Sequence, residues 1–309
     1  MKIYKYLSPN TFDLVFAESG KTKFKCSYPK DYNDPYELFL AINPNDMEPE
    51  LLATYNDIIG EIPQYPTSCF SNSPDIIPMW AHYAVNSTGF VVEIDEESLK
   101  NEKPEISIDN VDYKNGGSGI DVDLLRRACF IGKPRYAYML GRQALGTAYF
   151  TKNDCWSYES ERRIILSEDD IERKGEIMTV PISVNCISSI IIGPASNKIL
   201  AKKCFELCQN IDCNCFEMKI GRSSLIPYFL DSSNDTFLFN GESISDADCY
   251  CEDCGEPIDR DDILKCAWCS LTDDLKEDAA SKNPMRALSR YGLLEGYVKT
   301  MDSVGTEKK

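Results

Sequence analysis

"CFSNSPDIIPMWAHYAVNSTGFVVEID", residues 69–95, decides how the chain is read. "CFS" has the composition of a short strand. A Ser- and Asn-rich turn follows, "IIPMWAHYA" allows a helical turn or two, and "GFVVEID" is a continuous apolar run of the kind buried strands show. The stretch also gathers Trp80, Tyr83 and His82, the single histidine of a 309-residue chain. Such a group is either core packing or one wall of a site. Tryptophan is usually largely buried, so Trp80 is assigned to the core, while His82 and Tyr83 remain open to either reading.

Working outward, strands and helices alternate without a regular β-α-β repeat, which favours an α+β fold. "KIYKYLS" opens as a strand. Ser8 and Pro9 start a short helix, and "KTKFKCSY" is a second strand. Asp34-Pro35 imposes a turn or an extended backbone. "NDMEPELLATYNDIIGEI", "DVDLLRRACFIGK", "YMLGRQALGTAYF" and "NKILAKKCFELCQN" have helical spacing. "SERRIILS" and "EIMTVPI" read as strands, with a hairpin between them as one option. "VNCISSIIIGP" and "CFEMKIG" are further strands. The expected organisation is one α+β domain over 1–232 with a split central sheet, a polar linker over 233–248, a cysteine module over 249–270 and a helical tail over 271–309.

A formal net charge of −17 opposes non-specific binding to nucleic acid or anionic lipid. No apolar run approaches a membrane span, and no signal-peptide core is visible, so a cytoplasmic protein with no membrane partner is expected. In a reducing compartment, clustered cysteines point to metal rather than to disulfides. Of the 14 cysteines, Cys251-x2-Cys254 and Cys266-x2-Cys269 stand eleven residues apart. Two such pairs can bring four thiolates tetrahedrally around one zinc, and four thiolates leave no open coordination position for chemistry. A structural zinc is therefore expected, in a module that resembles short zinc ribbons and has a face for a protein or nucleic-acid target. Cys204, Cys208, Cys213 and Cys215 are assigned to core packing, because free cysteine is commonly a small buried hydrophobe.

A second unusual stretch is "FTKNDCWSYESERRIIL", residues 150–166. Residues two apart on a strand share a face, so Glu159 and Glu161 are expected to point the same way, and one of Arg162 and Arg163 to point away. Paired carboxylates can divide labour, one aligning a substrate and one stabilising positive charge. An exposed edge with Glu–Arg pairs explains the same spacing. "NGGSG" at 115–119 lacks the lysine and the strand–helix setting of a phosphate loop, and a single histidine leaves a metal-dependent hydrolase without its usual ligands.

Residues 1 to about 230 resemble an uncharacterised bacterial family, the domain of unknown function 2971. The motifs are "YKYLS", "NDPYE" (33–37), "CFS", "MWAHYA", "FTKNDCWSYESERRI" and "ISSIIIGP". The order of parts is also similar, more distantly, to ADP-ribosyltransferase folds, especially the DNA-modifying toxins of toxin–antitoxin pairs. That resemblance implies an NAD-dependent transferase acting on a macromolecule, of a toxin or phage-defence effector type. It implies Glu161 and Glu159 as catalytic carboxylates with Tyr83 and His82 beside them. It places Lys5, Tyr6, Asn33, Asp34 and Ser71 on the cofactor side. Lys5 and Tyr6 stand where that superfamily usually carries His or Arg. A recognition module that binds a nucleotide or protein without turnover is the alternative.

Overall fold

The computed structural model describes residues 1–38, 47–60, 62–115, 120–260 and 262–306. Residues 116–119 of the "NGGSG" segment lie outside them. The chain divides into two compact units, Met1–Asp246 and Ala247–Lys309.

The first unit is mixed α and β, built on a ten-stranded sheet. At its centre stand, in spatial order, Ile187–Ile192, Phe90–Asp95, Lys2–Leu7, Thr67–Ser71 and Glu161–Ile165. These are the five runs singled out as "SSIIIG", "GFVVEI", "YKYLS", "CFS" and "RRIIL". Ser107–Asn110 closes one edge, and Asn214–Lys219, Tyr228–Leu230, Thr236–Phe239 and Ile244–Asp246 extend the other.

The central strands are apolar throughout because both faces are covered. Phe90, Val92 and Ile94 face one cluster with Ile190 and Ile192. Val91 and Ile191 face a second cluster with Tyr4, Tyr6 and Trp80. The first face is packed by Leu200, Cys204 and Cys208 of the Lys198–Ile211 helix. It also meets Phe24, Val180 and Ile182 of a smaller sheet formed by Lys21–Cys26, Ile177–Ser183 and Glu172–Lys174. Cys213 and Cys215 pack against the same cluster, so these cysteines belong to the core. A satellite cluster joins Leu51 and Ile59 of the Pro49–Ile59 helix to Leu125 and Leu140. Gly89 and Gly193 permit close strand approach: a Cβ on Gly89 would stand 2.0 Å from the Leu7 carbonyl oxygen, and one on Gly193 2.3 Å from that of Ser87.

Two expectations are corrected. The segment expected as a linker carries two strands, 236–239 and 244–246. "FLFNGESIS" is a hairpin around Asn240-Gly241, where the Asn240 side-chain oxygen accepts from the Glu242 and Ser243 amides and Gly241 takes φ +97°. The unit boundary accordingly falls after Asp246. The strands 161–165 and 177–183 do not pair. The latter pairs with Glu172–Lys174 and with Lys21–Cys26, since Gly175 at φ +63° turns the chain back at once. The tail, expected as helical, consists of Asp273–Lys282, Pro284–Arg290 and Leu294–Thr306, the last two separated at Gly292, φ +69°. No helix among the described residues is long and apolar enough to cross a membrane.

Candidate functional site

Pairing in the sheet is thinnest between its seventh and eighth strands, Lys2–Leu7 and Thr67–Ser71. Lys2–Leu7 pairs over six positions with Phe90–Asp95, and Thr67–Ser71 pairs over five with Glu161–Ile165. Between these halves a single registered pair remains, Tyr4 opposite Ser71. Lys5 reaches across the seam, donating from Nζ to the Ser68 hydroxyl at 3.1 Å and the Cys69 carbonyl at 2.6 Å. Burial pushes its ammonium below the ordinary lysine range, against the pull of Cys69 and Glu161.

A cavity of about 260 Å³ opens at this seam. It is lined by Lys5 and Tyr6 of the first strand, Cys69 and Ser71 of the next, and Met79 and Tyr83 of the short helical segment. Asn33, Asp34 and Glu37 of "NDPYE" form another wall, and Lys152, Trp156, Glu159 and Glu161 complete it. Eight residues named from the sequence therefore share one cavity: Lys5, Tyr6, Asn33, Asp34, Ser71, Tyr83, Glu159 and Glu161. His82 is exposed and does not line it; its Nδ1 lies 3.2 Å from the Tyr158 hydroxyl. Trp80 is core, fully buried, edge-on to Tyr6 at 5.3 Å, with its indole N–H donating to the Pro74 carbonyl at 2.7 Å.

The two glutamates meet by a route the strand period does not describe. Glu159 ends the helical turn Asp154–Glu159, and Ser160 adopts a left-handed conformation at φ 45° before the strand starts at Glu161. Ser71 holds this corner by donating to the Glu159 carbonyl at 2.7 Å, and the Ser160 carbonyl accepts from the Asn72 amide at 2.8 Å. Both carboxylates converge on one ammonium: Lys152 donates to Glu159 at 2.6 Å and to Glu161 at 3.2 Å. Its Nζ also stands 4.9 Å over the Trp156 ring. Tyr83 donates to Glu159 from the cavity rim.

Arg162 and Arg163 alternate across the strand, and the one sharing the Glu161 face is Arg163. Its Nε donates to Glu161 at 2.7 Å, while Nη1 bonds Glu37 and, at 2.8 Å, the Tyr149 carbonyl. Arg162 faces the other way and grips Glu96 with two bonds of 3.0 and 2.7 Å. Glu161 is thus paired with both Arg163 and Lys152. Burial opposes its charge, yet Arg163 and Lys152 outweigh burial and hold its carboxyl at about 2. Those carboxylates in turn keep the buried Lys152 firmly protonated despite desolvation. Burial lifts the Glu37 carboxyl above its usual range in spite of Arg163.

Lys152, Arg163, Glu37 and Trp156 were not named as site residues from the sequence. Arg163 is two positions from Glu161 on a strand, which was a readable signal. The Lys152 contact depends on the Ser160 corner and was not.

In the second unit, Cys251, Cys254, Cys266 and Cys269 place their sulfur atoms within 4.8 Å of one another, close enough to hold one metal ion. The Cys251 amide donates to the Glu256 carbonyl at 2.9 Å, and Gly255, at φ +74°, returns its amide to Cys251 at 2.8 Å. Burial opposes ionisation of Cys251, but backbone donors at Cys266, Cys254 and Asp253 draw its thiol down to about 6. Cys249 is not part of the cluster.

The model of a family described as "Protein of unknown function (DUF2971)" matches residues 79–164, from within the short helix Ile77–His82 into the Glu161–Ile165 strand. The matched span holds "MWAHYA" and all of "FTKNDCWSYESERRI"; "YKYLS", "NDPYE", "CFS" and "ISSIIIGP" fall outside it. No curated protein and no solved structure gives a significant match.

Proposed function

We propose that the cavity takes the reacting end of an NAD-type dinucleotide, and that the protein is an ADP-ribosyltransferase-like enzyme acting on a macromolecular acceptor. The observation that carries this reading is the convergence of Lys5, Tyr6, Ser71, Tyr83, Glu159 and Glu161 on one cavity from four separate segments of chain. At about 260 Å³ the space is smaller than the ~300–1,000 Å³ of whole-ligand pockets, so it suits a nicotinamide ring and its ribose and leaves the rest of the dinucleotide outside. Lys25, exposed on the lining, suits the pyrophosphate.

In this reading the bond from ribose C1′ to the pyridinium nitrogen breaks, and nicotinamide leaves with the bonding pair. Positive charge develops on the ribose. Glu161, ionised at any physiological pH, stabilises it through space, and fixed charge of this kind is the largest contribution in many enzymes. Glu159 then accepts the proton of the attacking acceptor group. Lys152 holds both carboxylates in place, and Tyr6, Tyr83 and Trp156 supply aromatic surface for the ring.

The second reading, recognition without turnover, is favoured by the same lysine, because Lys152 and Arg163 already balance the carboxylates. The two readings separate in one experiment, with nicotinamide release from NAD measured by chromatography and NAD binding by calorimetry. Release supports the transferase; binding without release supports recognition of the dinucleotide; neither removes the dinucleotide reading and leaves recognition of another nucleotide or of a protein.

For the cysteine cluster we propose a structural zinc. The Cys254 and Cys266 sulfurs stand 3.8 Å apart, the edge of a tetrahedron with Zn–S near 2.3 Å. With four thiolates bound the ion is closed to substrate, so the module serves as a rigid face for a target.

A further inference from the structure

We infer that the Asp34–Glu37 wall of the cavity reads the carboxamide of the nicotinamide ring and rejects its acid counterpart; this rests on the dinucleotide reading above. Asp34 is 6% exposed, and the Glu37 side chain 3%. Each has one committed oxygen: Asp34 Oδ1 accepts from the Tyr36 amide at 2.9 Å, and Glu37 Oε1 accepts from Arg163. The other oxygen of each, Asp34 Oδ2 and Glu37 Oε2, is buried without a hydrogen-bond partner among the described residues. A carboxylate oxygen can only accept, and a buried acceptor without a donor is unfavourable. Both residues line the cavity, so a bound group whose N–H reaches these oxygens would satisfy them.

The position selects which group. Glu37 and Glu161 are held by the same guanidinium, Arg163, through Nη1 and Nε. The wall therefore stands beside the carboxylate next to which ribose C1′ must lie. The substituent on that carbon is the pyridinium ring, and its carboxamide offers two N–H donors. The cationic ring also complements a wall containing Asp31, Asp34 and Glu37. A ring bearing carboxylate in place of carboxamide brings no donor at neutral pH and adds a like charge against buried carboxylates.

The test is calorimetry in the cold, without an acceptor, on the full chain. The probes are NAD and the deamidated dinucleotide, nicotinic acid adenine dinucleotide. NAD is expected to bind at least about tenfold more tightly, a typical size for a buried polar mismatch or larger. Asp34→Asn keeps the oxygen that accepts from Tyr36 and replaces the unpartnered one with an NH2 donor, so it should narrow that ratio. Equal binding of the two probes to the unaltered chain overturns the inference and leaves the dinucleotide reading standing. Binding of neither overturns both. A preference that Asp34→Asn leaves unmoved removes Asp34 from the discrimination.

Discussion

The cavity and the cysteine module both crowd ionisable side chains together, and they balance the charge differently. Around Glu161 the chain supplies its own counter-ions: Lys152 and Arg163 stand within hydrogen-bond distance of the carboxylates. Around Cys251 four thiols stand together, and Lys265, whose charge reaches Cys251 and Cys269, is paired with Asp253 at 2.8 Å. The first arrangement is stable as built. The second, on the zinc proposal, is completed by an ion from outside. A self-balanced site keeps its geometry whether or not ligand is present, whereas an unbalanced one couples its folding to metal.

The largest effect expected from this contrast is metal removal. Zinc binding by such sites is worth about 10–16 kcal/mol. Chelation should abolish amide-exchange protection in residues 249–260 and 262–270 and leave the thermal transition of the Met1–Asp246 unit in place. Protection that survives a chelator with the ion demonstrably gone would show that the module balances itself. Next comes Lys152→Ala. It strips the shared ammonium from two buried carboxylates and should cost about 3–5 kcal/mol in urea unfolding. A loss below about 1 kcal/mol would mean that Arg163 alone suffices.

A smaller effect is the acid response. The Glu161 carboxyl is held at about 2 in the folded chain against an ordinary 4.5. The stability it adds is complete above that ordinary value and is lost as pH falls from there through the folded value, about 3 kcal/mol in all. Glu37, lifted by burial, works in the opposite direction and above that range, adding stability as pH falls from its raised folded value to the ordinary one. Unfolding curves taken through this range should be steeper for the native chain than for Glu161→Gln. Parallel curves would mean that Glu161 is not ionised in place.

The contrast also explains what the sequence let us read. The cysteine cluster depends on spacing within twenty residues, and two Cys-x2-Cys pairs describe it fully. The five central strands were readable because strands buried on both faces are apolar without interruption, as in "GFVVEID". The hairpin 236–246 was missed although Asn240-Gly241 marks it, because the polar residues around it suggested a linker. The cavity was legible as a set of residues and not as an electrostatic arrangement. Glu159 and Glu161 were paired by a strand period that the left-handed Ser160 interrupts, and Lys152 joins them only through that corner. His82 drew attention as the single histidine, but it packs beside Tyr158 on the outside of the wall whose inner side Tyr83 forms.

The central claim is that the carboxylates at the seam act on an NAD-type ribose. The measurement that reaches it most directly is nicotinamide release from NAD by the native chain and by Glu161→Gln, compared at equal folded concentration, with NAD affinity determined alongside. Glutamine keeps the shape and removes the charge, so release should fall about 10²–10³-fold while NAD still binds. Equal release by the two proteins, or no release by the native chain, would contradict it.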